Sequence, residues 1–416
     1  MYKNKLLLIS LALFTIFATT TDLHAKSAEP IVLGAIGPLS SITGRDCIRV
    51  VELAVEEINA QGGVSVGGVK RPFKIVSADT RDSGSGVPVI ESIMAYEKVI
   101  LQHEPAALVI NAHRSEAMLA SMDLIARYNV PTLMSICISP AVNKKIAGYM
   151  AKGKRCFFHT SANVIDWAQS DMLFMDQLIE AGFTSVYGIY ADIIAYRKLW
   201  QLTENGLKEK GLKVAGADVV PLGITDFSSS LIKAKNRKAD VLWVLYEISQ
   251  VGILAKQWET FRIPGLLFMT AGPFVAQNAW EEYGNTLDGI AIRVIEPGAV
   301  PLIKYPKATE FYEKCAKRWP GWVCGYGHGP ANSYDSVYIL AAAIERAGSL
   351  DKELLIKELE KTDTKGVAGR LKFDSHHKII YGDDPNETAI MHCFQWQNGV
   401  RVPITPPSIA EGKIVK

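Results

Sequence analysis

Residues 29–63, EPIVLGAIGPLSSITGRDCIRVVELAVEEINAQGG, constrain this chain more than any other stretch. Residues 31–36 run apolar without interruption and stop at Gly37-Pro38, which reads as a strand buried on both faces. A hydroxyl-rich loop with Ser40, Ser41 and Thr43 follows. Ile48, Val51, Val55 and Ile58 then recur at helical spacing until Gly62-Gly63 stops the helix. A strand without a polar face needs cover on both sides, so the fold class is α/β with a parallel sheet. The loop lies at the carboxyl end of the strand, where free backbone N–H groups and the positive end of a helix dipole can take a ligand's oxygens. Ser41 and Thr43 are the first candidate ligand contacts, and nothing in this stretch performs a reaction.

The alternation repeats. Residues 74–79, 107–110 and 132–134 read as strands, with helices at 89–101 and 116–128. Phe157 and Phe158 open a second array, with strands at 186–190, 214–219, 241–246 and 266–269 between helical segments, and Asp226 as an N-cap. After a strand at 289–294 the pattern turns helical (306–318, 333–347, 352–360), and short strands at 371–373 and 391–396 close the chain. With 416 residues, two domains are expected. No long linker separates the halves, which implies that short segments cross between them and act as a hinge.

Residues 1–25 have the form of a secretory signal peptide: Lys3 and Lys5, an apolar core over 6–17, and Leu23-His24-Ala25 at the cleavage point. The mature protein is expected to be soluble and exported. A formal charge of +2 argues against nucleic-acid binding and polybasic membrane attachment. Six cysteines in an exported chain permit disulfides, and Cys315 and Cys324, flanking Pro320-Gly321, are the expected pair. A loop that short contributes about 2–3 kcal/mol. A zinc site from Cys315, Cys324 and His328 is the sharper alternative, but its spacing fits no common pattern. GYMAKGKR (148–155) misses a phosphate loop because Arg155 replaces the Ser or Thr that holds magnesium. Gly34 and Gly37 lack the third glycine of a dinucleotide fingerprint, and His376-His377 reads as a surface turn. No nucleophile elbow, HExxH or CxxC is present, so neither an enzyme activity nor a cofactor is expected.

Further polar loops fall at the same sheet edge. Residues 111–115 carry Ala112 and Ser115, the latter read as the N-cap of a helix beginning near Glu116. SICISP (135–140) carries Cys137 and Ser139. The second array offers Asp192 and Tyr196, then Tyr246 and Glu247, then Gly272 and Phe274. Any one of these is equally a helix cap or a core aromatic. Loops gathered at one edge make a binding site the better reading.

LGAIGPLSSITG, AVEEINAQGG, Val130-Pro131, ITDFSSSLIKAKNRKADVLWVLY, Lys256-Gln257, SYDSVYILAAAIERAG and HCFQWQNG together resemble the leucine/isoleucine/valine-binding family of periplasmic solute-binding proteins of ABC importers. The resemblance spans about 31–399. It implies two Rossmann-like lobes, 31–155 plus 296–390 and 156–295 plus 391–416, joined by three crossing segments and closing on a ligand. It also implies a monomer that captures a small molecule in the periplasm and is read by a membrane permease and its ATPase. Carried over by residue, the family's carboxylate-binding Ser falls on Ser115, its third-loop contacts on Cys137 and Ser139, and its stacking tyrosines on Tyr196 and Glu247, with Tyr246 adjacent. The acid that pairs with an amino acid's ammonium falls near Gly272 and is missing. Either Glu247 or Glu116 replaces it, or the ligand is no zwitterion: an organic acid, an amide, or a neutral apolar molecule such as a lipid, which a carrier or sensor would hold. The family's disulfide near the second loop is absent as well, with Thr80 and Arg114 in its place, which puts local rigidity in question.

Overall fold

The structure is a computed structural model that describes residues 29–84, 86–246, 250–270 and 272–416. The expected signal peptide and Glu247 lie outside the described residues.

Five parallel strands form the first sheet: β1 (Ile31–Gly37), β2 (Phe73–Asp79), β3 (Ala107–Val109), β4 (Thr132–Met134) and β5 (Phe157–His159), in the order β2-β1-β3-β4-β5. Helices α1 (Ile42–Ala60), α2 (Val89–His103), α3 (Ser115–Tyr128) and α4 (Pro140–Met150) connect them. β1 is buried almost throughout, as its unbroken apolar run requires. Ser41 caps α1 by accepting the Gly44 N–H, and Gly63 ends the turn at φ +85°, where a Cβ would stand 2.3 Å from Arg71 O.

The second sheet repeats this order. Its parallel strands β6 (Ser185–Ala191), β7 (Lys213–Val220), β8 (Val241–Leu245), β9 (Leu266–Thr270) and β10 (Ala291–Val294) run β7-β6-β8-β9-β10, with β11 (His392–Gln397) and β12 (Val400–Thr405) antiparallel beyond β10. Helices α5 (Val164–Glu180), α6 (Ile194–Glu209), α7 (Ser228–Asn236), α8 (Gln250–Thr260) and α9 (Ala279–Tyr283) belong with it. α10 (Pro306–Arg318), α11 (Pro330–Ala347) and α12 (Lys352–Glu360) return to the first sheet's side, where Lys314 and Arg318 pair with Glu57 and Glu56 of α1. In each sheet the strand order reverses beside its first strand, so the topological switch points fall at the loops after β1 and β3 and after β6 and β8.

Three expectations need correction. His376-His377 is not wholly a surface pair, because His377 is buried with its ring stacked on Phe158 at 4.3 Å. Phe157 and Phe158 do not open the second unit, because β5 hydrogen-bonds to β4 as the edge of the first sheet. The passage therefore begins after His159. Asp226 does not cap its helix directly. α7 starts at Ser228 with Phe227 in the cap position, and Asp226 Oδ1 accepts the Ser228 N–H at 2.9 Å.

The chain passes between the sheets at 160–163, 295–305 and 391; the first passage is polar and buried, the second is mostly apolar around the buried Glu296 with Ile303 and Lys304 exposed, and the third is the buried Met391. Glu296 accepts N–H bonds from Ala331 (2.8 Å) and Asn332 (3.2 Å) at the start of α11, and burial pushes its carboxyl up to about 8. Tyr381 Oη donates to Thr160 O at 2.9 Å, tying the first passage to the small sheet formed around Gly369–Lys372 and Tyr381–Gly382. His392, next to the third passage, is fully buried, and among the described residues neither ring nitrogen has a partner.

Candidate functional site

In the loop after β1, the side chains expected to meet a ligand serve the fold. Ser41 caps α1, and Thr43 Oγ1 donates to Gly325 O at 3.3 Å. Thr43 thereby supports an uncommon turn in which Cys324 (φ +48°), Gly325 (+53°), Tyr326 (+61°) and Gly327 (+83°) are consecutively left-handed. For the two non-glycines this costs about 1–2 kcal/mol each. The surroundings hold it: Asp46 Oδ2 accepts the Gly325 N–H at 2.8 Å, and Ile295 donates to Gly327 O at 3.0 Å. Burial raises the Asp46 carboxyl above its ordinary range.

The expected disulfide beside this turn is absent: Cys315 and Cys324 are both free, buried thiols. The Trp319 and Trp322 rings stack at 5.5 Å between them and close the loop that the bridge was expected to close. Nor do these residues bind zinc with His328. Among the described residues no cluster of three His, Cys, Asp or Glu side chains could hold a metal, and His328 Nε2 bonds Ile136 O at 2.7 Å.

After β3, Ser115 stands at the first position of α3 rather than at its cap, which is Arg114, and Ser115 is half-buried. Ala112 is buried, with its N–H donated to Tyr96 Oη at 3.1 Å. Glu116 is exposed. Hydrogen bonds fasten the loop where no disulfide does. Thr80 Oγ1 donates to Asp82 Oδ1 (2.5 Å), Arg114 N to Asp82 Oδ2 (2.6 Å) and Arg114 Nη2 to Val87 O (2.5 Å). A buried aspartate and an arginine thus join the two segments whose stiffness was in question.

The third loop is fastened to the second: Asn111 Oδ1 accepts N–H bonds from Ile136 (2.8 Å) and Cys137 (3.4 Å). Cys137 is buried, its thiol pushed up to about 12 by desolvation, and its carbonyl accepts from His159 Nε2 at 2.5 Å. Burial holds His159 down at about 4, so its ring is neutral, and with Nε2 donating, Nδ1 accepts from Asn143 at 2.8 Å. Ser139 is buried in the cap position of α4, and its hydroxyl makes no cap bond.

On the second sheet the expected residues separate. Tyr196, in the first turn of α6, is buried near Trp167. Asp192 is exposed and paired with Arg197 at 2.6 Å. Tyr246 is fully buried, its hydroxyl accepting the Gly223 N–H at 2.7 Å and donating to Pro221 O at 3.3 Å, so its polar end is already used by the backbone. Phe274 is buried edge-on to Tyr283. Gly272 has φ +119° and ψ −170°, a region nearly restricted to glycine, and a Cβ there would fall 2.7 Å from Val251 Cγ2.

What the structure brings together is a row of rings. His113, from the loop after β3, lies 6.2 Å from His328. His328 lies 6.4 Å edge-on from Trp167, and Trp167 lies 6.3 Å from Tyr196. The row runs from the first lobe, through the segment after the left-handed turn, into α5 and α6 of the second. Trp167 is backed by Arg293, whose guanidinium sits 5.1–5.8 Å from the rings of Phe268, Trp167 and Trp243. Arg293 is fully buried and bonds Asp171 and Thr270, with Nε to Asp171 Oδ1 at 2.9 Å. Burial raises the Asp171 carboxyl against the opposing pull of Arg293.

His113, His328 and Trp167 were not singled out as ligand contacts from sequence. The one usable signal was CGYGHGP (324–330), where alternating glycines and rings ahead of a helix-starting proline mark a close approach of backbone.

Two like-folded lobes, loops of both at one edge, and three passages between them agree with comparison to known proteins. A profile described as periplasmic binding protein matches residues 30–384. This chain belongs to that family. Among its curated relatives is the Leu/Ile/Val-binding protein homolog 7 of Brucella suis biovar 1 (strain 1330), 24% identical over 407 residues, covering 94% of this chain and 95% of the relative. A putative branched-chain amino acid ABC transporter protein from Silicibacter pomeroyi superposes with a TM-score of 0.77 at 18% identity, over 92% of this chain and 98% of that one. A solute-binding protein from R. palustris, solved in complex with benzoate, superposes with a TM-score of 0.70 at 16% identity, over 92% and 99%. As a periplasmic binding protein, the chain takes a small-molecule ligand. Among the described residues no helix is long and apolar enough to cross a membrane.

Proposed function

We propose that this periplasmic binding protein captures a small organic acid lacking an α-ammonium group, closes its lobes over it as a monomer, and presents it to an ABC importer. Gly272 carries the reading. It stands near where the resemblance puts the ammonium-pairing acid, its backbone favours glycine, and Val251 occupies the space of a side chain. An ammonium enclosed without a counter-charge costs several kcal/mol. Of the two substitutes, Glu116 is exposed and Glu247 lies outside the described residues. The half-buried Ser115 at the N-terminus of α3 and the Ser139 hydroxyl suit a carboxylate, while Trp167, Tyr196, His113 and His328 suit a planar body. The benzoate complex of the R. palustris protein is one case of such a ligand on this fold.

Closure follows from the ligand touching both lobes, since only contacts that differ between open and closed forms shift their balance. The test is calorimetric titration with benzoate and with isoleucine, coupled to small-angle scattering. Binding and compaction with the aromatic acid, absent with isoleucine and lost in Ser115→Ala/Tyr196→Ala, is the expected result. Isoleucine binding with benzoate silent overturns the ligand class. Binding without compaction overturns the closure.

A further inference from the structure

We propose that the second lobe carries another ligand site, on the end of its sheet opposite the cleft, which takes a flat aromatic anion. A cavity of about 730 Å³ opens there, within the range of small-molecule sites. It is bordered by Asp240, just before β8, by Leu266 at the start of β9 and by Gly289, just before β10. The cleft loops leave the other ends of these strands, so about 16 Å of strand separates the two sites. Nothing assigned to the cleft lines this cavity.

Its chemistry is specific. Phe183, Trp258 and Trp396 give it aromatic walls, and Leu266 and Ala239 add apolar surface. Three lysines stand around it: Lys235, Lys238 and Lys416. Among the described residues none of the three is paired with a carboxylate. Lys235 donates to Phe261 O (2.8 Å), Lys416 donates to Gly182 O (2.9 Å) and lies 4.9 Å from the Phe183 ring, and the Lys238 ammonium meets no acceptor among the described residues. The two acids at the border are engaged. Asp240 Oδ2 accepts three bonds from Thr184 and Ser185, and Asp288 Oδ1 accepts the Asn398 N–H at 2.7 Å. Aromatic walls beneath unpaired ammonium groups favour a planar ring bearing one negative charge.

The segment after β12 forms one side of this cavity through Val415 and Lys416 and is held there. Gln395, fully buried, bonds both the N–H and the carbonyl of Val415 at 2.8 Å, and Gln397 Nε2 donates to Lys413 O at 2.8 Å. The wall is therefore part of the folded lobe.

The probe is 8-anilinonaphthalene-1-sulfonate, followed by fluorescence on the whole protein, with neutral N-phenyl-1-naphthylamine as the uncharged comparison. One bound sulfonate per chain is expected, with affinity at least tenfold above the neutral probe. Lys235→Glu/Lys238→Glu should weaken the sulfonate tenfold or more and leave the neutral probe within twofold. Both lysines are exposed, so circular dichroism should find this variant folded, and Lys238→Gln alone gives a milder second reading of the same loss. Tyr196→Ala, in the cleft, should leave the sulfonate's affinity intact. Equal affinity for the two probes, sulfonate binding indifferent to the lysine reversal, or loss of the signal in Tyr196→Ala each overturns the proposal. Failure of the cleft ligand reading would not produce any of these results.

Discussion

Replacing Gly272 by alanine separates two costs that the structure assigns to this position. The first is backbone strain at φ +119° and ψ −170°, where a non-glycine pays about 1–3 kcal/mol. The second is overpacking against Val251 Cγ2, 2.7 Å from the new Cβ, worth about 1–3 kcal/mol. Gly272→Ala should therefore destabilise by about 2–6 kcal/mol. Val251 is fully buried, and Val251→Ala alone should cost about 1–3 kcal/mol through its lost methyls and the resulting void. In the double variant the clash disappears while the strain remains, so the double cost should fall short of additivity by about 1–3 kcal/mol. Urea unfolding, followed by both tryptophan fluorescence and far-ultraviolet circular dichroism, measures all four proteins. Coincident transitions are required before free energies are compared. Strict additivity would mean that Val251 does not fill the position. A Gly272→Ala protein within about 0.5 kcal/mol of the parent would mean that the loop accepts a side chain there. The packing of Val251 would then no longer account for the missing acid.

Asp82→Ala should leave the Arg114 N–H and the Thr80 hydroxyl without an acceptor and cost about 2–4 kcal/mol, with faster amide exchange at Arg114 than at Met118; unchanged exchange would deny the latch its role. His392 is held at about 3 against an ordinary 6.5, so between those values the unfolded chain binds a proton that the folded chain does not. Its contribution is complete above pH 6.5 and is lost as pH falls toward 3. His392→Leu should accordingly flatten the acid limb of stability by about 1.4 kcal/mol per pH unit, and parallel limbs in the two proteins would refute the assignment.

The fold was legible because β1, β3, β8 and β9 are apolar on both faces, a pattern that few architectures satisfy. The family's phrasing around 31–63 and 333–348 carried the rest. Limits of elements were harder. β5 is only three residues long, and its place beside β4 depends on pairing, which a run of Phe157 and Phe158 does not reveal. The candidate site was legible as a set of loops but less so as side chains. Ser41 and Thr43 look the same in sequence whether they face a ligand or bond their own backbone, and only the fold decides between these uses. Tyr246 was placed at a strand end correctly, yet the direction of its hydroxyl toward residues 221–223 depends on a loop far along the chain. His328 reaches the row of rings through four left-handed residues in succession, a conformation that local propensity argues against for Cys324 and Tyr326.

The Thr80–Asp82–Arg114 arrangement has a consequence for how this protein is made. All six cysteines are buried thiols, and the two loops joined there are held by hydrogen bonds instead of sulfur. Folding of the chain should then need neither an oxidant nor a disulfide-exchange catalyst. The lobes should reach the same state in a reducing cytosol as outside the cell, and dithiothreitol should leave them unmoved.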